Sequence, residues 1–117
     1  MSTQIKIIIK DLNTITANGR VKSLSGRDKG EALRANWELG ELEKQNNTII
    51  FIKIPEGMYN LAPSFIQGLF SETVYNIGKE GFVSKYQFSP KQLIVNQIHL
   101  VIEKLHRDKT RGEKTDA

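Results

Sequence analysis

Cysteine is absent from this chain of 117 residues, and histidine nearly so, with two. Without thiols there is no disulfide, no thiolate metal site and no cysteine nucleophile. His99 and His106 alone do not make a histidine-rich metal centre, so no metal is expected. Apolar runs are short. None approaches the roughly 20 residues that cross a bilayer, and the start, MSTQIKIIIKDLN, lacks the apolar core and small-residue cleavage site of a signal peptide. The expectation is a cytoplasmic protein with no membrane partner. Charge of one sign is never concentrated either. The formal net charge is +4, but acids and bases interleave, as in GRDKGEALR. No run of five like charges occurs, so a solvated surface accounts for the basic balance better than a nucleic-acid partner.

What is there fits one domain with one core. A hydrophobic share of 38% and a charged share of 26% are ordinary globular values, and the length holds one domain, not two. The compositional break comes late. Residues 1–106 read as the domain, and the tail HRDKTRGEKTDA, with no apolar residue before its final Ala, reads as disordered over 107–117.

Periodicity divides the domain. QIKIIIK (4–10) is β-branched and reads as a strand. In ITANGRVKSL the pair Asn18-Gly19 is a hairpin signal, with Ile15 before it and Val21 and Leu24 after it. A helix is expected from about 27 to 45, capped by Ser25, with Asp28 three residues on. Ala32, Ala35, Leu39 and Leu42 share one face, with Leu33 and Trp37 beside it. Gly30 and Gly40 weaken that helix and are expected to let it lie close to a sheet. TIIFIKI (48–54) is apolar almost throughout, as in a strand buried on both faces at the centre of a helix-covered sheet. Pro55 ends it.

The second helix is expected over about 63–79, with Pro63 in its first turn and Phe65, Ile66, Leu69, Phe70, Val74 and Ile77 as its stripe. GFVSKYQF (81–88) alternates and reads as a strand. Ser89, Pro90 and Gln92 open a third helix that runs to about 106. The order predicts an α/β domain in which a mixed, mainly parallel sheet packs against about three helices.

Catalytic and cofactor patterns are missing. There is no G-x-S-x-G elbow, neither nucleotide-binding glycine loop and no carboxylate pair at an active-site spacing. His99 and His106 read as a packed edge residue and a helix-end residue. Neither an enzyme nor a cofactor is expected. Three features remain. Gly26 and Arg27 stand at a helix N-terminus, where unpaired N–H groups favour anions. Phe82, Tyr86 and Phe88 alternate beside Lys85, as nucleic-acid readers do, though core packing beneath helices explains them better. Ser64 follows Pro63 in a first helical turn, where its hydroxyl acts as a cap and a phosphate would meet the positive end of the helix.

IFIKIPEGMYNLAPSFIQGLF resembles the strand–loop–helix segment of prokaryotic STAS-like domains. Glu56-Gly57, Pro63-Ser64-Phe65 and Leu69-Phe70 carry the likeness, with GRDKGEALR as the Arg-led start of the first helix; it covers roughly residues 3 to 105. The resemblance implies the STAS-like fold and a non-enzymatic regulatory module related to anti-sigma factor antagonists. Its implied partner is a histidine-kinase-type ATPase or an anti-sigma-like regulator, with phosphorylation as a switch. In this chain Pro63 occupies the antagonists' phospho-acceptor position, Ala62 replaces the preceding Asp, and Ile54 replaces a strand-ending Asp. Ser64 is the neighbour, turned about 100° around the helix.

The expected contact surface is Glu56, Met58 and Tyr59 in the loop, Pro63 and Ser64, and the polar side of the helix at Gln67, Ser71 and Glu72. Met58 and Tyr59, taken as exposed, are its natural anchors. The alternative is a nucleic-acid or small-anion site built on Arg27, Gly26 and the basic surface.

Overall fold

The structure is a computed structural model that describes residues 4–15, 23–89 and 92–115. It is an α/β domain. Strand β1 (Lys6–Asp11) leads into a single 3-10 turn, then β2 (Ser23–Leu24), α1 (Arg27–Asn36), α2 (Leu39–Lys44), β3 (Thr48–Lys53) and β4 (Asn60–Leu61). Helix α3 (Pro63–Lys85), β5 (Tyr86–Phe88) and α4 (Gln92–Thr115) complete it. The main sheet has the order β1-β3-β5, all parallel, and a second ladder pairs β2 with β4, also in parallel.

The turn of the expected hairpin, Asn18-Gly19, and Val21 lie outside the described residues; Ile15 closes the 3-10 turn, and Leu24 pairs with Leu61 of β4. That ladder is buttressed from α4. The Gln97 side chain accepts from Leu61 N–H at 3.0 Å and donates to Asn60 Oδ1 at 3.0 Å.

β3 is central, as its composition requires, but among the described residues helices cover only one of its faces. Thr48, Ile50 and Ile52 are buried beneath the helices, while Ile49 and Phe51 are half-buried. Their β1 register partners Ile7 and Ile9 are exposed. An all-apolar strand does not by itself say which neighbour covers it, and here the helices lie on the Ile50 side. Phe65, Ile66, Leu69, Phe70 and Val74 from α3, with Ile94, Ile98 and Ile102 from α4, fill that side. Each fully buried side chain of this size contributes about 1.5–3 kcal/mol.

Helix boundaries differ from the periodic reading in several places. The 27–45 helix is two helices, because Glu38 adopts a left-handed φ of 56° after the buried Trp37. The buried face of α1 is Gly30, Leu33, Arg34 and Trp37; Ala32 and Ala35 are exposed. The N-cap is Gly26 at φ 100°, not Ser25. Helix α3 leaves helical geometry at Gly78 (φ 73°), where its end was expected, and then resumes to Lys85. Only residues 86–88 of GFVSKYQF are strand. Strict alternation would aim Ser84 inward with Phe82 and Tyr86. The helical turn instead exposes Val83 and Ser84 and stacks Phe82 on Tyr86 at 5.2 Å.

At the C-terminal end, α4 runs to Thr115, through residues expected to be disordered. Lys109 bonds the carbonyls of Val74 and Tyr75 on α3 and lies over the Tyr75 ring, giving a polar segment a docking point that its lack of apolar residues conceals. The expected Ser89–Pro90 start falls partly outside the described residues. Ser89 Oγ accepts from Ile54 N–H at 2.6 Å, tying the end of β3.

Candidate functional site

Helices α1 and α3 run parallel, each entered from one strand of the β2–β4 ladder. Their close approach is made by glycine. A Cβ on Gly30 would lie 2.2 Å from the Phe65 carbonyl oxygen, and one on Gly68 2.1 Å from that of Arg27. Gly30 therefore serves a helix–helix contact rather than the helix–sheet contact expected of it.

Beneath the crossing lies a buried polar cluster. Arg34 is 6% exposed and Glu43 9%. Arg34 Nη2 donates to Glu43 Oε1 at 2.7 Å, and Nη1 donates to Thr73 Oγ1 at 2.7 Å and to Leu69 O at 2.9 Å. Thr73 and the Tyr86 hydroxyl both donate to Glu43 Oε2 at 2.5 Å. One ion pair thus joins α1, α2, α3 and β5. Burial alone would lower the Arg34 pKa, but its bonds to Glu43 and that carboxylate's charge outweigh burial and raise it. Burial, and then the Glu43 charge and hydrogen bond, push the Tyr86 phenol well above its ordinary value.

Above the cluster is an open groove of about 420 Å³. Arg27, Glu31, Arg34 and Glu38 line it from the α1 side, Glu41 from α2, and Gln67, Ser71 and Glu72 from α3. Four carboxylates face two guanidiniums. Arg34 is committed to Glu43 and, at 3.3 Å, to Glu72. Arg27 lies 4.0 Å from Glu31, both side chains well exposed. The groove is acidic in a chain of positive net charge.

At its head the two helix starts are tied directly, with Ser64 Oγ accepting from Gly26 N–H at 3.1 Å. Ser64 is thus a cap, but of the neighbouring helix. The same bond occupies the amide that had made Gly26 an anion candidate.

The structure therefore brings Gly26, Arg27, Ser64, Gln67, Ser71 and Glu72 to one place. Pro63 is exposed in the first turn beside them. Tyr59 is 62% exposed, and Glu56 is exposed in the turn after β3, but neither lines the groove. Met58 is 1% exposed, a core residue beneath the loop and not an exposed anchor. Phe82, Tyr86 and Phe88 cluster around Phe70 with ring centroids 5.0–6.4 Å apart, so core packing accounts for them. His99 is exposed, with its ring edge-on to Phe82 at 6.3 Å.

Sequence reasoning missed the Arg34–Glu43 pair and, of the acids of the groove, Glu31, Glu38 and Glu41. The available signal was Arg34 four residues after Gly30, on the stripe shared with Leu33 and Trp37. Among the described residues no helix is long and apolar enough to cross a membrane, and no group of three or more metal-binding side chains forms. Comparison with family models, curated proteins and solved structures gives no match.

Proposed function

We propose that this chain is a non-enzymatic regulatory module that works in the cytoplasm by docking a partner protein on the α1–α3 groove. One observation carries the reading. The polar residues of α3 and the Arg27 helix start, distant in sequence, share one open groove whose floor is fixed by a buried ion pair. A rigid, polar, solvent-open surface suits recognition of another protein better than enclosure of a small molecule. Its excess of carboxylates favours basic side chains on the partner. Tyr59 lies outside the groove as a separate aromatic contact.

The STAS-like resemblance of the segment around Ser64 supplies the partner class in this proposal, a histidine-kinase-type ATPase or a related anti-sigma-like regulator. Ser64 modification is the natural regulation of this site. Its oxygen accepts from Gly26 N–H at the start of the neighbouring helix, and a phosphate there would add acceptor oxygens and negative charge between two helix N-termini. The anion and nucleic-acid alternative is disfavoured by the groove's charge, since four carboxylates line it against two guanidiniums and the Gly26 N–H is bonded to Ser64.

The test is affinity capture from the native host with wild type, Ser71→Arg and Tyr59→Ala, with mass spectrometry of both the recovered proteins and the 60–79 peptide. Recovery of such an ATPase that is lost with Ser71→Arg supports the reading. An identical set of proteins recovered by all three variants sinks the surface assignment. Nucleic acid whose recovery falls steeply with salt favours the alternative.

A further inference from the structure

We infer that the open face of the main sheet is the seat of a second copy of this chain, in a face-to-face two-fold dimer. Parallel sheets are ordinarily covered on both faces, and here, among the described residues, the helices cover one. On the other, β1 exposes Ile7 at 58% and Ile9 at 61%, with Ile5 at 62% just ahead of the strand. Register sets Ile7 beside Ile49 and Ile9 beside Phe51, so five apolar side chains form one continuous patch.

Its charged rim identifies the occupant. Asp11 and Lys53 are register partners at the same end of β1 and β3 and project from the same face as the patch. A two-fold axis running along the strands, between β1 and β3, sets each β1 over the β3 of the other copy. Asp11 then faces the second copy's Lys53 and Lys53 its Asp11, while Ile7 and Ile9 rest on the other copy's Ile49 and Phe51. The face is complementary to itself in charge and in apolar content, as an isologous interface must be. Asp11 Oδ1 accepts from Asn13 N–H at 2.9 Å, which leaves Oδ2 to receive the lysine. Sheets stacked this way pack about 10 Å apart with their strands within about 30°. Five apolar side chains and one charge pair are few beside the roughly 20–30 residues a side of a standard interface, so a weak dimer is expected, dissociating at roughly tens of micromolar. The surface lies on the opposite side of the sheet from the α1–α3 groove and does not depend on the reading of that groove.

Sedimentation equilibrium of the full chain, from roughly 5 µM to roughly 500 µM, tests it. Wild type is expected to pass from monomer to dimer across that range. Ile9→Lys should remain monomeric. Lys53→Glu and Asp11→Lys, each alone, set like charges against one another and should weaken association roughly tenfold. Mixed together they should associate again, because each Asp or Glu then meets a lysine of the other variant. Thermal midpoints check that each variant is folded. If Asp11→Lys is not, Lys53→Glu and Ile9→Lys decide. A wild-type chain monomeric throughout overturns the dimer and leaves the face to a different partner. Association untouched by Ile9→Lys and Lys53→Glu, or not restored by mixing, overturns the face-to-face geometry in favour of in-plane pairing through the edge of β1.

Discussion

Gly30 lies directly on the backbone of Gly68. A Cβ at Gly30 would stand 3.1 Å from the Gly68 carbonyl carbon and 2.8 Å from the Leu69 nitrogen. Backbone cannot swing aside as the tip of a flexible side chain can. Gly30→Ala and Gly68→Ala are each expected to cost about 3 kcal/mol or more, despite the better helix propensity of alanine. Gly40→Ala is the control. Its nearest neighbour is Arg34 Nη2 at 4.0 Å, so it should be neutral or stabilising by up to about 1 kcal/mol. Urea unfolding of the three variants checks the contrast, and equal effects would contradict it.

Removing one member of the buried ion pair should be far worse than removing both. Arg34→Met leaves the Glu43 carboxylate buried with only two hydroxyl donors, and Glu43→Met leaves the guanidinium without its bidentate acceptor. Each single change is expected to cost about 3–5 kcal/mol. The double variant should fall well short of the sum, because no uncompensated charge remains. A double-mutant cycle in urea measures the difference, and simple additivity would show that the pair is not coupled.

Tyr86 gives the pair a signature in pH. Its phenol has a raised pKa in the fold, while in the unfolded chain it ionises near pH 10. Its neutral form therefore supports the fold below about pH 10. Above that, the unfolded chain has released a proton that the folded chain retains, and stability falls by about 1.4 kcal/mol per pH unit. Tyr86→Phe should cost about 1.5–3 kcal/mol near neutrality through the lost bond to a charged acceptor, and should remove that part of the alkaline slope. Unfolding curves between pH 8 and 11 compare the two proteins; identical slopes would exclude Tyr86 as the source.

Adjacent residues in one loop should respond very differently. Met58→Ala empties a fully buried position and should cost about 2–5 kcal/mol. Tyr59→Ala removes an exposed ring and should change stability by less than about 0.5 kcal/mol. Thermal midpoints separate a packing role from a contact role without any partner present.

Legibility in the sequence followed the reach of each signal. TIIFIKI declared a central strand because seven consecutive residues favour it, and the α3 stripe predicted the buried Phe65, Ile66, Leu69, Phe70 and Val74. Residues whose surroundings come from elsewhere in the chain were harder. Met58 looked like a loop anchor, since burial of a loop side chain depends on what lies beneath it. Arg34 looked like solvated charge, because Glu43, Thr73 and Tyr86 reach it from three other elements. Alternation in GFVSKYQF predicts a strand through Val83 and Ser84, whereas the helix resumed after Gly78 exposes both and buries Phe82. Of the candidate site, the polar residues of α3 and Arg27 were legible singly. That they share a groove follows from two glycines whose role, close approach of two helices, is not written in either one's neighbours.

The β2–β4 ladder has a consequence for chain length. Leu24 and Leu61 are register partners, and each stands a short fixed span ahead of its crossing glycine, Gly30 or Gly68. The ladder is thus a common origin from which both helices are measured. One residue inserted between Leu24 and Gly30 would rotate the following helix by about 100°, bringing a side chain to the place that only hydrogen can fill and turning Arg34 away from Glu43. Substitutions at Ser25, Lys29 or Pro63 are exposed changes that this region can absorb, whereas a change in its length is not, so drift here should proceed by replacement and never by insertion or deletion.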